Sequence, residues 1–331
     1  MTAASLTVSL VRAVVLAIVL PIAASHAEIT MRDYEITMRD YKLTDGMGPH
    51  DVAPAPDGGV WFTAQPQGLL GRLDPATGKV ETVPLGEGSA PHGVVVGPDG
   101  AAWVTDGGAN AIARVDPVTR AVRRFPLPAD ARFANLNTAA FDRAGLIWFT
   151  GQDGIYGRLD PASAALKVWQ APRGAGPYGI TTAPDGVYCA SLAGNYLGRV
   201  DPASGVAAII EPPTPRSGPR RAWADSKGRI WVSEWNAGNV ALYDPAAKTW
   251  QTWHLPGAHP QAYAVFVDDR DIVWLSDWDA NALVRFDPKS EAFTAFPSPR
   301  PHAGVRQLLG RHGEVWGAES GTDRLVVLKT E

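Results

Sequence analysis

Residues 90–117, APHGVVVGPDGAAWVTDGGANAIARVDP, hold three short segments of strand character joined by two turns. Residues 92–97 are apolar and rich in valine and run into Pro98-Asp99-Gly100. Proline sets φ there and glycine accepts φ > 0, as a tight hairpin requires. A second strand is predicted over 102–105, a polar turn over 107–110, a third strand over 111–115 closed by Asp116-Pro117, and a fourth over 121–126. Four antiparallel strands recurring at a period in the low forties are the signature of a propeller blade.

The aromatic residue ending the first hairpin counts the blades: Trp61, Trp103, Trp148, Tyr188, Trp231, Trp274 and Trp316, at intervals of 42, 45, 40, 43, 43 and 42. The first six are followed by Asp-Pro at Asp74, Asp116, Asp160, Asp201, Asp244 and Asp287. The chain is therefore read as an all-β, seven-bladed propeller over residues 47–331. The seventh copy has only three strands, and residues 39–43 stand where a fourth should precede blade one. The N-terminal strand is expected to complete the last blade and close the ring, hiding a sheet edge. Arg72, Arg114, Arg158, Arg199 and Arg285 fall at one position of the third strand and read as a structural device.

Residues 1–27 combine Arg12, an apolar run and the exit Ser25-His26-Ala27, which reads as a secretory signal, excluded from the fold. A periplasmic or secreted monomer, free of the membrane after cleavage, is expected. Residues 28–46 form a separate N-terminal segment in which EITMRDY occurs twice, at 28–34 and 35–41. Only one copy can fill a given strand position. Lys and Arg total 30 against 34 Asp and Glu, and loss of the signal moves the net charge from −4 to −5. A mildly acidic chain without basic runs argues against nucleic acid as a partner. The single cysteine, Cys189, reads as a small buried residue.

Counting outward from the Asp99-Gly100 turn pairs His92 with Asp106. The same fourteen-residue offset pairs His50 with Ala64, Asn137 with Gly151, Arg220 with Glu234, Tyr263 with Asp277 and Val305 with Glu319; Tyr178 with Ser191 is one residue shorter. These pairs are expected to ring one mouth of the central channel, where variation on a fixed scaffold favours a ligand site. Trp235 and Trp278, with Arg220 and Arg221, are candidates to wall and hold a small-molecule or cyclic peptide ligand. Glu234 and Asp277, with Asp106 and Glu319, are candidates to hold a hard divalent cation. A propeller that only binds a ligand or protein is the reading from another class. A lactonase of the gluconolactonase type, with Ca²⁺ on Asn137, Glu234 and Asp277, is a third.

The units GPHDVAPAPDGGVWFTA, APHGVVVGPDGAAWVTD and GRIWVSEWNAGNVALYDP resemble the virginiamycin B lyase (streptogramin lyase) family over essentially residues 47–328. That resemblance implies a Mg²⁺-dependent carbon–oxygen lyase, acting in antibiotic resistance, that opens a cyclic depsipeptide at its ester by elimination. It implies a rim histidine as base, with the metal stabilising the enolate. Glu319 matches the family's later metal-ligating Glu. The opening phrase of the last blade is here Arg300-Pro301-His302-Ala303-Gly304, and the register position is Val305, with Tyr263 one blade earlier. His302, or His92 from another blade, is the expected base.

Overall fold

A computed structural model describes residues 36–131 and 133–331. The signal segment and the first EITMRDY copy lie outside the described residues.

Among the described residues, twenty-eight strands form seven four-stranded antiparallel sheets. Six are consecutive meanders, and the seventh takes its outermost strand, Thr37–Lys42, from the other end of the chain. The second EITMRDY copy thus supplies the closing strand, paired from Thr37↔Lys329 to Lys42↔Arg324. Tyr41 stacks on Trp316 across this junction, with ring centroids 5.6 Å apart. Asp40 pairs with Arg300 and Arg324.

The counted aromatics are all buried and lock each hairpin from within. The indole N–H groups of Trp103, Trp148 and Trp274 donate to the turn residues Asp99, Asp142 and Asp268. Tyr188, the one exception to tryptophan, reaches Asp185 through its hydroxyl at 2.8 Å. Arg72, Arg114 and Arg199 on the third strands pair with Asp57, Asp99 and Asp185, as the recurring position suggested. Each Asp-Pro aspartate accepts a backbone N–H two or three residues on, the geometry of an Asx-turn. Cys189 is buried, and burial pushes its thiol up to about 12.

The first strands of the blades, Pro49–Pro54, Pro91–Val96, Leu136–Phe141, Pro177–Ala183, Pro219–Ala224, Ala262–Val267 and Val305–Arg311, pack on one another around the central channel. Glycine permits the closest approaches. A Cβ on Gly93 would lie 2.5 Å from the Asn137 carbonyl, and one on Gly179 would lie 2.6 Å from Arg221 Cα.

The register contradicts the predicted pairing in six blades, the offset being fifteen where fourteen was expected in five of them and fourteen where thirteen was expected in the fourth. Pro91, not His92, faces Asp106, and Pro49, Leu136, Pro177, Pro219 and Ala262 face Ala64, Gly151, Ser191, Glu234 and Asp277. The cause is an irregularity immediately afterwards in every first strand, such as that between Pro91 and Gly93. An extra residue there makes two residues oppose one and bends the strand. Val305 does face Glu319, because the last blade's hairpin closes in a turn one residue tighter. By homology of position, its ring residue is therefore Arg306.

Candidate functional site

The bulges turn consecutive side chains, which an ordinary strand sends to opposite faces, into one polar ring. His50 Nδ1 lies 2.8 Å from Asp51 Oδ1, and Thr138 Oγ1 lies 2.8 Å from Asn137 Oδ1. Gln307, beside Arg306, accepts the Val52 N–H. In five blades a Ser or Thr two positions beyond the counted tryptophan bonds to the bulge, while the fourth and seventh blades carry Ala190 and Ala318 there. Thr63 accepts the Asp51 N–H and donates to the His92 carbonyl, and Thr105 does the same between Gly93 and Asn137. Ser233 does so between Arg221 and Tyr263.

Proton positions in the ring follow from Arg221, which can only donate. Arg221 donates to Thr138 Oγ1, so the Thr138 hydroxyl must donate to Asn137 Oδ1. Asn137 Nδ2 then donates to His92 Nε2 at 3.0 Å, placing the His92 proton on Nδ1. Arg221 also donates to Asp51 Oδ1 at 3.1 Å. Asp51 accepts the proton on His50 Nδ1, so His50 Nε2 carries a free lone pair and no partner among the described residues.

His50, His92, Asp51 and Arg221 are all buried, with His50 and His92 each 5% exposed. Burial, then the charges of Arg306, Arg221 and Arg220, holds the His50 pKa well below its ordinary value, so the ring is neutral at neutral pH. Burial and then His50 lower His92 in the same way. Their rings lie 3.8 Å apart between centroids. Burial pushes the Asp51 carboxyl up, opposed chiefly by Arg221.

On the other side of the ring, Arg220 donates to Tyr178 Oη at 3.0 Å, and the Tyr178 and Tyr263 hydroxyl oxygens are 2.6 Å apart. Burial and then Tyr263 push Tyr178 up to about 12. Burial alone would raise Tyr263, but Arg220 and Arg221 bring it below its ordinary value. Tyr263 stacks on Trp278 at 4.9 Å, and Trp235 meets both edge-on. Trp235, Trp278 and Tyr263 thus form one aromatic cluster. Farther along the channel, Val95, Ile180, Trp223 and Val265 line a small cavity together with Thr138, Arg221 and Gln307.

His50, His92, Asn137, Tyr178, Arg220, Arg221, Tyr263, Trp235 and Trp278 are therefore brought into one connected cluster. The other named residues bond outside this cluster, although Asp277 and Glu319 line a small cavity with Trp278. Asp106 accepts from Ser89, Ala90 and Ala109, and Asp277 from Gln261, Asp279 and Ala280, in their own loops. Glu319 accepts from Ser298 and Thr322, and Glu234 from Asn239. Asn137 is bonded to His92 and Thr138, away from the bonds of Glu234 and Asp277. His302 sits exposed in the loop before the last blade's first strand, with φ 56°, four residues short of Arg306. Asp51 and Arg306 are ring residues that the fourteen-residue count misses. Their signal is the polar pair opening an apolar strand, His50-Asp51 or Arg306-Gln307.

Among the described residues, His50, Asp51 and His92 form the one group of three candidate metal ligands, with ligand atoms within 4.8 Å of one another. This buried group can hold a metal, but its donors do not fit Mg²⁺, which takes oxygen ligands. Two nitrogens and one carboxylate suit a borderline transition metal better. The charge also opposes a divalent cation: three guanidinium groups, Arg220, Arg221 and Arg306, act on His50, and Asp51 is the one carboxylate bonded among them. Two unit charges 4 Å apart interact by about 4 kcal/mol at an effective dielectric near 20.

No curated protein matches this chain. Among solved structures it is similar to a streptogramin B lyase, with TM-score 0.82 and 20% identity over 88% of this chain and 97% of that one. It is equally similar to virginiamycin B lyase from Staphylococcus aureus, with TM-score 0.82 and 20% identity over 89% and 99%. A catalytically inactive form of that enzyme, solved with quinupristin, matches with the same figures. These structures share the fold. The model of the virginiamycin B lyase family matches residues 20–249, and the chain belongs to that family.

Proposed function

We propose that this chain is an exported carbon–oxygen lyase that binds a cyclic ester at the polar end of its channel and opens it by elimination, with His50 as the base. Export rests on the sequence of residues 1–27. The observation that carries the chemistry is the His50–Asp51 pair, 2.8 Å between Nδ1 and Oδ1, which leaves Nε2 unprotonated in the ring. An aspartate bonded to the far nitrogen fixes the tautomer of a histidine base and stabilises the imidazolium that forms. Arg221, bonded to the same carboxylate oxygen, fixes Asp51 in turn.

In this reading His50 Nε2 takes the proton from the carbon next to a carbonyl. The C–H electron pair becomes the new C=C bond as the alkyl carbon–oxygen bond of the ester breaks. The oxygen leaves with its electron pair as a carboxylate, and the proton on His50 passes to solvent. No water is consumed, and no step is assigned to a metal. The family, and the quinupristin-bound relative, support a compact cyclic ligand.

The test is ring opening of a streptogramin B by the wild type and by His50→Ala, Asp51→Asn and His302→Ala. Loss of about 10²–10⁴-fold is expected in the first two, the usual worth of a positioned base, with little change in the third. Inactivity of the wild type would remove this substrate; a selective loss in His302→Ala would move the base to the loop.

A further inference from the structure

The guanidinium groups around the ring outnumber the acids that could neutralise them. Arg221 is paired with Asp51. Arg220 and Arg306, both half-buried, have no carboxylate within 4.0 Å among the described residues, whereas Arg72, Arg114, Arg199, Arg229 and Arg324 each have at least one. A partly desolvated cation without a counter-ion is costly, and a site that keeps two is built to receive negative charge.

Both groups abut one aromatic cluster. Arg220 lies over Tyr263 at 3.7 Å and over Trp235 at 4.7 Å, and Arg306 lies over Trp278 at 5.1 Å. The rings satisfy the faces of the guanidinium groups, not their in-plane N–H donors. Arg220 spends one nitrogen on Tyr178, and its buried Nε has no partner; Arg306 spends its Nε on Ser320 Oγ at 2.8 Å.

We propose that Arg220 and Arg306 form an anion site that takes the carboxylate of a ligand whose apolar or aromatic part lies on Trp235 and Trp278. The site occupies the same end of the channel as the proposed lyase chemistry but does not depend on it. If that chemistry holds, these groups receive the carboxylate that leaves as the ester opens.

The experiment is calorimetric titration of the wild type with phenylacetate and with its neutral isostere phenylacetamide, at low and high salt. Phenylacetate should bind at least tenfold more tightly than the amide and weaken with salt. Arg306→Met and Arg220→Met should each lose at least tenfold, and Arg306, the group with fewer ring contacts, is the variant expected to keep the wild-type melting temperature. Equal binding of acid and amide, no binding of phenylacetate, or unchanged binding by folded Arg306→Met would overturn the proposal. Carboxylate binding without ring opening would sink only the lyase reading, and ring opening without carboxylate binding would sink only this one.

Discussion

Arg221 has donors and no acceptor, and that property orders its neighbours. It forces the Thr138 hydroxyl toward Asn137, the Asn137 amide toward His92, and, through Asp51, the proton of His50 onto Nδ1. Replacing Arg221 by Met therefore leaves Asp51 buried without its cation, and a loss of about 3–5 kcal/mol in unfolding free energy is expected from denaturant titration. The two histidines give a pH signature. Their folded pKa values lie well below the ordinary 6.5. Below pH 6.5 the unfolded chain takes up protons that the folded ring refuses, so their contribution is full above that pH and is lost as pH falls. Each can contribute up to about 1.4 kcal/mol per pH unit in this window. Stability measured at pH 6 and pH 5 should drop less steeply in His92→Gln than in the wild type; identical slopes would mean that His92 is not held neutral.

A single inserted residue in each first strand decides what the blade presents to the channel. Strand order and blade count were legible because tryptophan, the turn aspartates and Asp-Pro repeat with the hairpins. The bulge was not, since it changes no residue type and only shifts the pairing by one. Counting from the turn therefore set His92 against Asp106, where Pro91 stands, and hid Asp51 on the supposed far face. The hydroxyl two positions beyond five of the six counted tryptophans is part of the sequence, but its work at Thr63, Thr105, Thr150 and Ser233, satisfying a bulge N–H and a neighbouring blade's carbonyl, shows only in three dimensions. Thr105→Val keeps the shape and strands the Gly93 N–H and the Asn137 carbonyl. A cost of about 1–3 kcal/mol follows, to be read as a lowered melting temperature, whereas Thr119→Val on an exposed turn should have little effect.

At the scale of the molecule, the ring is closed by six residues from the start of the described chain against Arg324–Lys329 at its end. This closure was readable because the last blade lacks a strand and the first has one to spare. A chain beginning at Ile36 should melt close to the full chain, while one beginning at Thr44 should melt roughly 10 °C lower, having lost several kcal/mol of strand pairing and of Tyr41 and Met38 burial. Family membership was legible in the same repeats, but the side chains that the ring brings together were not. The carboxylates suited to a cation by residue type are spent on loops, and the ring carries arginine instead. Elimination and hydrolysis of a cyclic ester leave different products, so the mass of the opened ligand tests the account most directly. Quinupristin treated with the wild type should give a linear product of the same mass as the substrate; a product heavier by one water would contradict elimination.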